Sequence, residues 1–131
     1  MRKLKGLIIM LCISLSLFGM TACSDGGANS YEQITPQEAK TIMDTEKEYI
    51  IIDARTTEEF AEGHIENAIL IPEYEITDRA EQELSDKDAL ILVYCRSGRR
   101  SKIASEELVK LGYTNVKEFG GIIDWPYEIV K

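Results

Sequence analysis

Cys95, Arg96, Ser97, Gly98, Arg99 and Arg100 stand in a row, with Ser101 and Lys102 behind them. Four cations thus fall within seven residues of a chain whose net charge is −8. The run "ALILVY", residues 89–94, precedes the cysteine and reads as a strand buried on both faces. "SKIASEELVKLG" follows, with Ile103, Ala104, Leu108 and Leu111 along one side of a helix and Gly112 at its stop. A loop that leads from a buried strand into a helix meets about four backbone N–H groups without intrahelical partners, and roughly half a positive charge from the dipole. Gly98 lets such a loop curl so that its amides turn inward as an anion-binding nest. Helix N-termini and neighbouring cations lower a cysteine from about 8.5 to roughly 3.5–7.5, and the thiolate is the nucleophile. The stretch therefore predicts an ionised, nucleophilic Cys95 in a cavity that attracts anions. An inert cysteine closing a core strand is the alternative, and the charge pattern, the glycine and the helix argue against it.

The elements that must position this loop alternate along the chain. "YEQI" is a short strand. "TPQEAKTIMD" is a helix with Thr35 as N-cap, Pro36 at its first position and Glu38 closing a capping box. "YIIID" is a strand ending in Asp53, and "TTEEFAEG" a short helix with Thr56 and Glu59 at capping-box spacing. "AILIP" reads as a strand and "TDRAEQELSD" as a charged amphipathic helix, the acidic run from Glu73 to Asp88 supplying its solvated face. "NVKEF" is a last strand, and "GGIIDWPYEIVK" a turn and short helix. Strand alternating with helix predicts an α/β fold, a mainly parallel central sheet with helices on both faces. Such sheets bind ligands at the carboxyl ends of their strands, where Cys95 lies.

The first 22 residues stand apart. Arg2, Lys3 and Lys5 precede an uncharged apolar or small run from Gly6 to Ala22, which reads as an export signal (residues 1–22) rather than as part of the fold. It ends in "MTAC", which resembles the lipobox of bacterial lipoproteins and implies lipidation of Cys23. Met20 departs from the usual leucine of that box. Residues 23–30 then form the lipidated cysteine and a glycine-rich flexible linker, and residues 31–131 one domain. The resemblance places the domain outside the cell, lipid-anchored to the outer face of the membrane or on its periplasmic side. Loss of residues 1–22 removes three cations and no acid, leaving 12 basic against 23 acidic side chains, or −11. A body so acidic is repelled by nucleic acid and by anionic lipid surfaces. With Cys12 in the signal and Cys23 lipidated, Cys95 has no partner for an internal disulfide.

The loop and its surroundings resemble the rhodanese-like sulfurtransferases, whose six-residue active-site loop often reads Cys-Arg-x-Gly-x-Arg. Cys95, Arg96, Gly98 and Arg100 fall on that pattern. "IIDARTTEEFAEGHIENAILIP" is similar to the family's N-terminal signature at Asp53, Arg55, Glu59, Phe60, Gly63, His64, Ile65, Ala68, Ile71 and Pro72. Glu66 and Asn67 replace the frequent Pro-Gly, and asparagine is the residue best suited to take a glycine's positive φ. "GGIIDW" resembles the family's Gly-Gly…Trp segment, although the tail after Trp125 is shorter than usual. The likeness implies a rhodanese-like fold and a thiosulfate or sulfane-sulfur transferase that works through a Cys95 persulfide. Its substrate site would comprise Arg96, Ser97, Gly98, Arg99 and Arg100. Its partners would be a small anionic sulfur donor and a thiol or protein acceptor, with no cofactor.

Two other readings use the same fold. One is a sulfur-relay or anion-binding module without efficient turnover. The other is a phosphatase or arsenate reductase, which would need a loop one residue longer and usually a histidine where Tyr94 stands. A tighter ring of amides suits a sulfur atom better than a phosphoryl group. Asp53 and Arg55 are read as a supporting charge-assisted pair at a strand end. His64 is assigned to a structural turn rather than to base catalysis, and Trp125 to the core. No cluster of His, Cys or carboxylates suggests a metal.

Overall fold

A computed structural model of the chain describes residues 30–131. Residues 1–22, read from the sequence as an export signal, and Cys23 to Asn29, read as a lipidation site and linker, lie outside the described residues. Five strands, β1 (Glu32–Gln33), β2 (Ile50–Asp53), β3 (Ile69–Leu70), β4 (Ile91–Cys95) and β5 (Val116–Gly121), form one sheet in the order β1-β5-β4-β2-β3. Every pairing within it is parallel. The helices are α1 (Pro36–Thr45), α2 (Thr57–Glu62), α3 (Ile76–Glu83) and α4 (Arg99–Lys110), with 3-10 turns at Glu73–Glu75 and Ile122–Asp124.

Alternation along the strands explains the layers. Ile52, Ile91, Val93 and Cys95 share one face with Ile76 and Ala80 of α3 and Ala104 and Leu108 of α4. Ile51, Leu92 and Tyr94 share the other with Ala39 of α1, Phe119 and Trp125. Helices cover both faces, so the central strand β4 is buried at each of its five residues. Thr35 caps α1 and Thr56 caps α2, each through a complete capping box with Glu38 or Glu59.

Three boundaries differ from the sequence reading. Helix α4 begins at Arg99, so Arg99 and Arg100 are its first two residues rather than part of the loop. Strand β5 continues through both glycines to Gly121. The segment after Trp125 is not helical; it crosses back to an antiparallel bridge between Val130 and His64. Asn67 takes a φ of +72°, so the turn keeps the conformation that glycine would supply.

Candidate active site

Cys95 ends β4 at the carboxyl edge of the sheet and is 1% exposed. Its depth depends on an irregularity in β5. Val93 pairs with Glu118 but Cys95 pairs with Gly121, so β5 spends one residue more than β4 over this interval. Gly120 takes up the surplus with a φ of +89°. The backbone of the loop then lies against Gly121. A β-carbon there would stand 2.0 Å from the Arg96 carbonyl oxygen and 2.5 Å from the Ser97 α-carbon, distances no side chain tolerates. The Ile123 N–H donates to that Arg96 carbonyl at 3.2 Å and fixes the loop from the same side.

Above this floor the chain turns at Gly98, whose φ of +109° is left-handed. The turn aims the Gly98 N–H at the Cys95 Sγ, 3.0 Å away. Ser101, in the first turn of α4, places its Oγ 3.3 Å from the same sulfur. The thiol thus sits between an amide and a hydroxyl where the helix begins, a setting in which partial positive charge gathers.

The arginines divide. Arg96 and Arg99 are exposed at the rim, with Ser97 between them. Arg100 is engaged: its Nη1 and Nη2 donate to the two carboxylate oxygens of Glu59 at 2.7 and 2.9 Å. The Arg100 guanidinium, with help from Thr56, holds the Glu59 carboxyl down to about 2, and Glu59 in turn raises Arg100 above its ordinary value. Arg100 therefore ties α4 to α2 and contributes its charge from a fixed position beside the loop.

Asp53 and Arg55 lie behind the site and make a buried ion pair. Arg55 donates from Nε to Oδ1 at 2.9 Å and from Nη2 to Oδ2 at 2.7 Å, and also from Nη2 to the Gly63 carbonyl at 2.7 Å. Burial opposes the Arg55 charge, but the hydrogen bonds and charge of Asp53 outweigh it and raise the guanidinium above its ordinary value. Tyr94 donates its hydroxyl to Asp53 at 2.6 Å and accepts from the Ile65 N–H at 3.0 Å. Burial, reinforced by the Asp53 charge, keeps that phenol protonated. These bonds lock the ends of β2 and β4 together and leave Asp53 no free oxygen to act as a base. His64 stacks on Phe60 at 3.7 Å between ring centroids, and one ring nitrogen, Nδ1, lies 2.9 Å from the Phe60 carbonyl. It is part of the turn. Trp125 packs against Phe119 in the core.

Sequence reasoning missed Ser101 and Glu118 as parts of the site. Ser101 is fully buried and donates to Glu118 Oε2 at 2.5 Å. The only sequence signal was a hydroxyl one helical turn beyond a loop that needs donors. Among the described residues no group of three or more His, Cys, Asp and Glu side chains is placed to hold a metal.

The family model of the rhodanese-like domain matches residues 35–126, which include the loop, the ion pair and the glycine bulge. The chain belongs to the rhodanese-like family. Thiosulfate sulfurtransferase PspE of Escherichia coli is 40% identical over 80 residues, covering 61% of this chain and 77% of that protein. Adenylyltransferase and sulfurtransferase UBA4 of Candida albicans is 34% identical over 104 residues, 74% of this chain. This rhodanese-like chain spans only 24% of that longer relative. Among solved structures, a rhodanese with anions from E. coli superimposes with a TM-score of 0.60 at 37% identity, covering 63% of this chain and 98% of that one.

Proposed function

We propose that this rhodanese-like chain is a sulfurtransferase that takes sulfane sulfur from an anionic donor such as thiosulfate and holds it as a Cys95 persulfide. The recessed Cys95 Sγ, met by the Gly98 amide at 3.0 Å inside a six-residue loop, is the observation that carries the reading. The Cys95 thiolate attacks the outer sulfur of thiosulfate; a sulfur–sulfur bond forms as the old one breaks, and sulfite leaves with its electron pair. The persulfide keeps the single negative charge. A nucleophilic acceptor then attacks the terminal sulfur and releases the thiolate; with cyanide the product is thiocyanate. Arg96 and Arg99 at the rim draw the donor in, and Arg100 adds its field from its place on Glu59. No step needs a cofactor.

After thiosulfate treatment, intact-mass analysis should show one added sulfur atom on the wild type, removable by cyanide. Cys95→Ser should gain none and should not turn over. Turnover in Cys95→Ser would overturn the persulfide mechanism.

The export signal and "MTAC" extend the proposal to location: residues 1–22 are removed, Cys23 carries lipid, and the domain faces outward from the membrane. Cys23→Ala should release the domain from the membrane fraction or stall its processing. An unchanged membrane fraction would refute the anchor.

A further inference from the structure

Glu118 lies in β5, 1% exposed, on the side of the sheet that faces α4. Its Oε2 accepts from the Ser101 hydroxyl at 2.5 Å and from the Gly120 N–H at 2.9 Å, and its Oε1 accepts from Gln33 Nε2 at 3.3 Å. Among the described residues no lysine or arginine pairs with it. Burying a carboxylate without a counter-ion is far less favourable than burying a neutral amide of the same shape. Holding Ser101 in place does not demand that charge. A glutamine would reach as far.

The hydroxyl between them has a direction. Ser101 carries one proton, and among its acceptors Glu118 is nearer than the carbonyls of Gly98, at 3.1 Å, and Gly120, at 3.3 Å. While that proton points to Glu118, the oxygen offers Cys95 a lone pair, which suits a thiol that donates. It does not suit a thiolate.

We propose that Cys95, Ser101 and Glu118 form a proton relay in which Glu118, acting through Ser101, takes up the thiol proton when Cys95 becomes the nucleophile. This rests on the reading of Cys95 as the sulfur-accepting nucleophile. The S–H bond breaks as its proton passes to Ser101 Oγ, and the original Ser101 proton passes to Glu118 Oε2. One proton moves in total, and the three groups keep one negative charge between them. The direction of the chain is then reversed: Glu118 donates to Ser101, and Ser101 donates to the sulfur anion. Attack on thiosulfate and release to an acceptor each leave one negative charge on sulfur, so the proton stays on Glu118 through both half-reactions.

The surrounding charges are distributed accordingly. On the Glu118 side stand Gln33 and Tyr31 beside β1 and Glu106 of α4, and burial together with the Glu106 and Glu118 charges keeps Tyr31 protonated. Lys117, the neighbour of Glu118, is taken by Glu32. On the sulfur side Arg100, paired with Glu59, acts on Cys95 from α4, with Arg96 and Arg99 exposed and Lys102 in the next turn. Positive charge borders the sulfur and negative charge borders the carboxyl, a gradient that drives a proton from one to the other.

The test is the pH profile of Cys95 alkylation by iodoacetamide, a neutral reagent that needs no sulfur-transfer activity. Glu118→Gln puts a neutral amide where the relay puts a neutral acid, so the profile should lie within about half a unit of wild type. A carboxylate that stayed ionised about 6 Å from the sulfur would instead hold the wild-type thiol protonated to higher pH, and Glu118→Gln would then move the profile to lower pH by about two units, which would overturn the relay. Ser101→Ala removes the donor to the thiolate and should move the profile to higher pH, with alkylation equal to wild type on the plateau; a loss equal at every pH would make Ser101 a structural residue and overturn the relay too. A second measurement needs no variant. With carbon-13 glutamate, the wild type should keep a protonated carboxyl infrared band at pH values where the thiolate absorbance has already appeared, and thiolate without that band would refute the proposal. A relay intact in protein that accepts no sulfur from thiosulfate would instead count against the sulfurtransferase reading and leave the relay standing.

Discussion

The pair between Glu59 and Arg100 joins the helix that follows β2 to the helix that follows the catalytic loop, and its strength can be read from pH. The perturbation is Glu59→Gln, which keeps an acceptor oxygen for the Thr56 capping bonds and removes only the charge. Arg100, together with the Thr56 capping bonds, lowers the Glu59 carboxyl from 4.5 to about 2. Were the whole of that difference expressed in the fold, it would be worth about 3 kcal/mol. The side chains are 21% and 24% exposed, so water screens part of the interaction, and the glutamine retains a neutral hydrogen bond. About 1–2 kcal/mol remains for the charge itself.

The sign follows from the direction. A carboxyl depressed in the folded state stabilises fully above its unfolded value, and the contribution fades as pH falls from about 4.5 toward 2. Urea unfolding at pH 7 should therefore show Glu59→Gln less stable by about 1–2 kcal/mol, with the gap closing to under about 0.5 kcal/mol near pH 2.5. Comparing the two proteins cancels the titration of every other acid. A gap of constant size from pH 7 to pH 2.5 would mean that Glu59 contributes shape and hydrogen bonds rather than charge, and the ion-pair argument would fall.

Gly121→Ala puts a β-carbon 2.0 Å from the Arg96 carbonyl oxygen, so the loop backbone must move; stability should fall by about 1–3 kcal/mol and thiosulfate turnover far more steeply, as measured by melting and by thiocyanate formation. Wild-type turnover in that variant would show that the loop does not depend on the contact. Arg96→Gln with Arg99→Gln removes two exposed rim charges, each worth about 1 kcal/mol toward an anionic donor, and should lower kcat/KM for thiosulfate by roughly thirtyfold at low salt. Alkylation of Cys95 by a neutral reagent on its high-pH plateau should be unaffected, and an equal loss there would show that the arginines hold the loop's shape.

What the sequence made legible was what a few neighbouring residues decide. Thr35 with Glu38 and Thr56 with Glu59 lie three apart, and both capping boxes are present. "ALILVY" has no polar residue before Tyr94, and β4 is buried throughout. The position of Cys95 followed from these local rules together with the general behaviour of parallel sheets. The pairs that finish the site are not local. Arg100 and Glu59 are 41 residues apart, and each has a complete local explanation, one as a loop cation and the other as a cap. Ser101 and Glu118 are 17 apart on different elements. Gly120 and Gly121 read as a turn because glycine weakens strands, yet here one absorbs a bulge and the other admits the loop backbone. The start of α4 is not legible in the sequence because Gly98 enters the helix through a left-handed conformation with no side-chain cap to mark it.

The charges around Cys95 act against one another. Arg100 is offset by Glu59, which leaves the helix start, the Gly98 amide and the exposed Arg96 and Arg99 to favour an anion. Against them stands Glu118. Through Ser101 its carboxyl lies no more than about 6 Å from the sulfur, given legs of 3.3 and 2.5 Å. Two negative charges at that distance repel by about 3 kcal/mol at an effective dielectric of 20, enough to disfavour the thiolate roughly a hundredfold. A carboxylate that stayed ionised would undo most of what the loop provides. A carboxyl that takes the thiol's proton removes the repulsion and presents a donor to Ser101 in the same step. The cations at the mouth and the carboxyl at the base then act on the same proton from opposite ends. That is how a protein this acidic keeps one negative charge on sulfur while admitting a donor that is negative too.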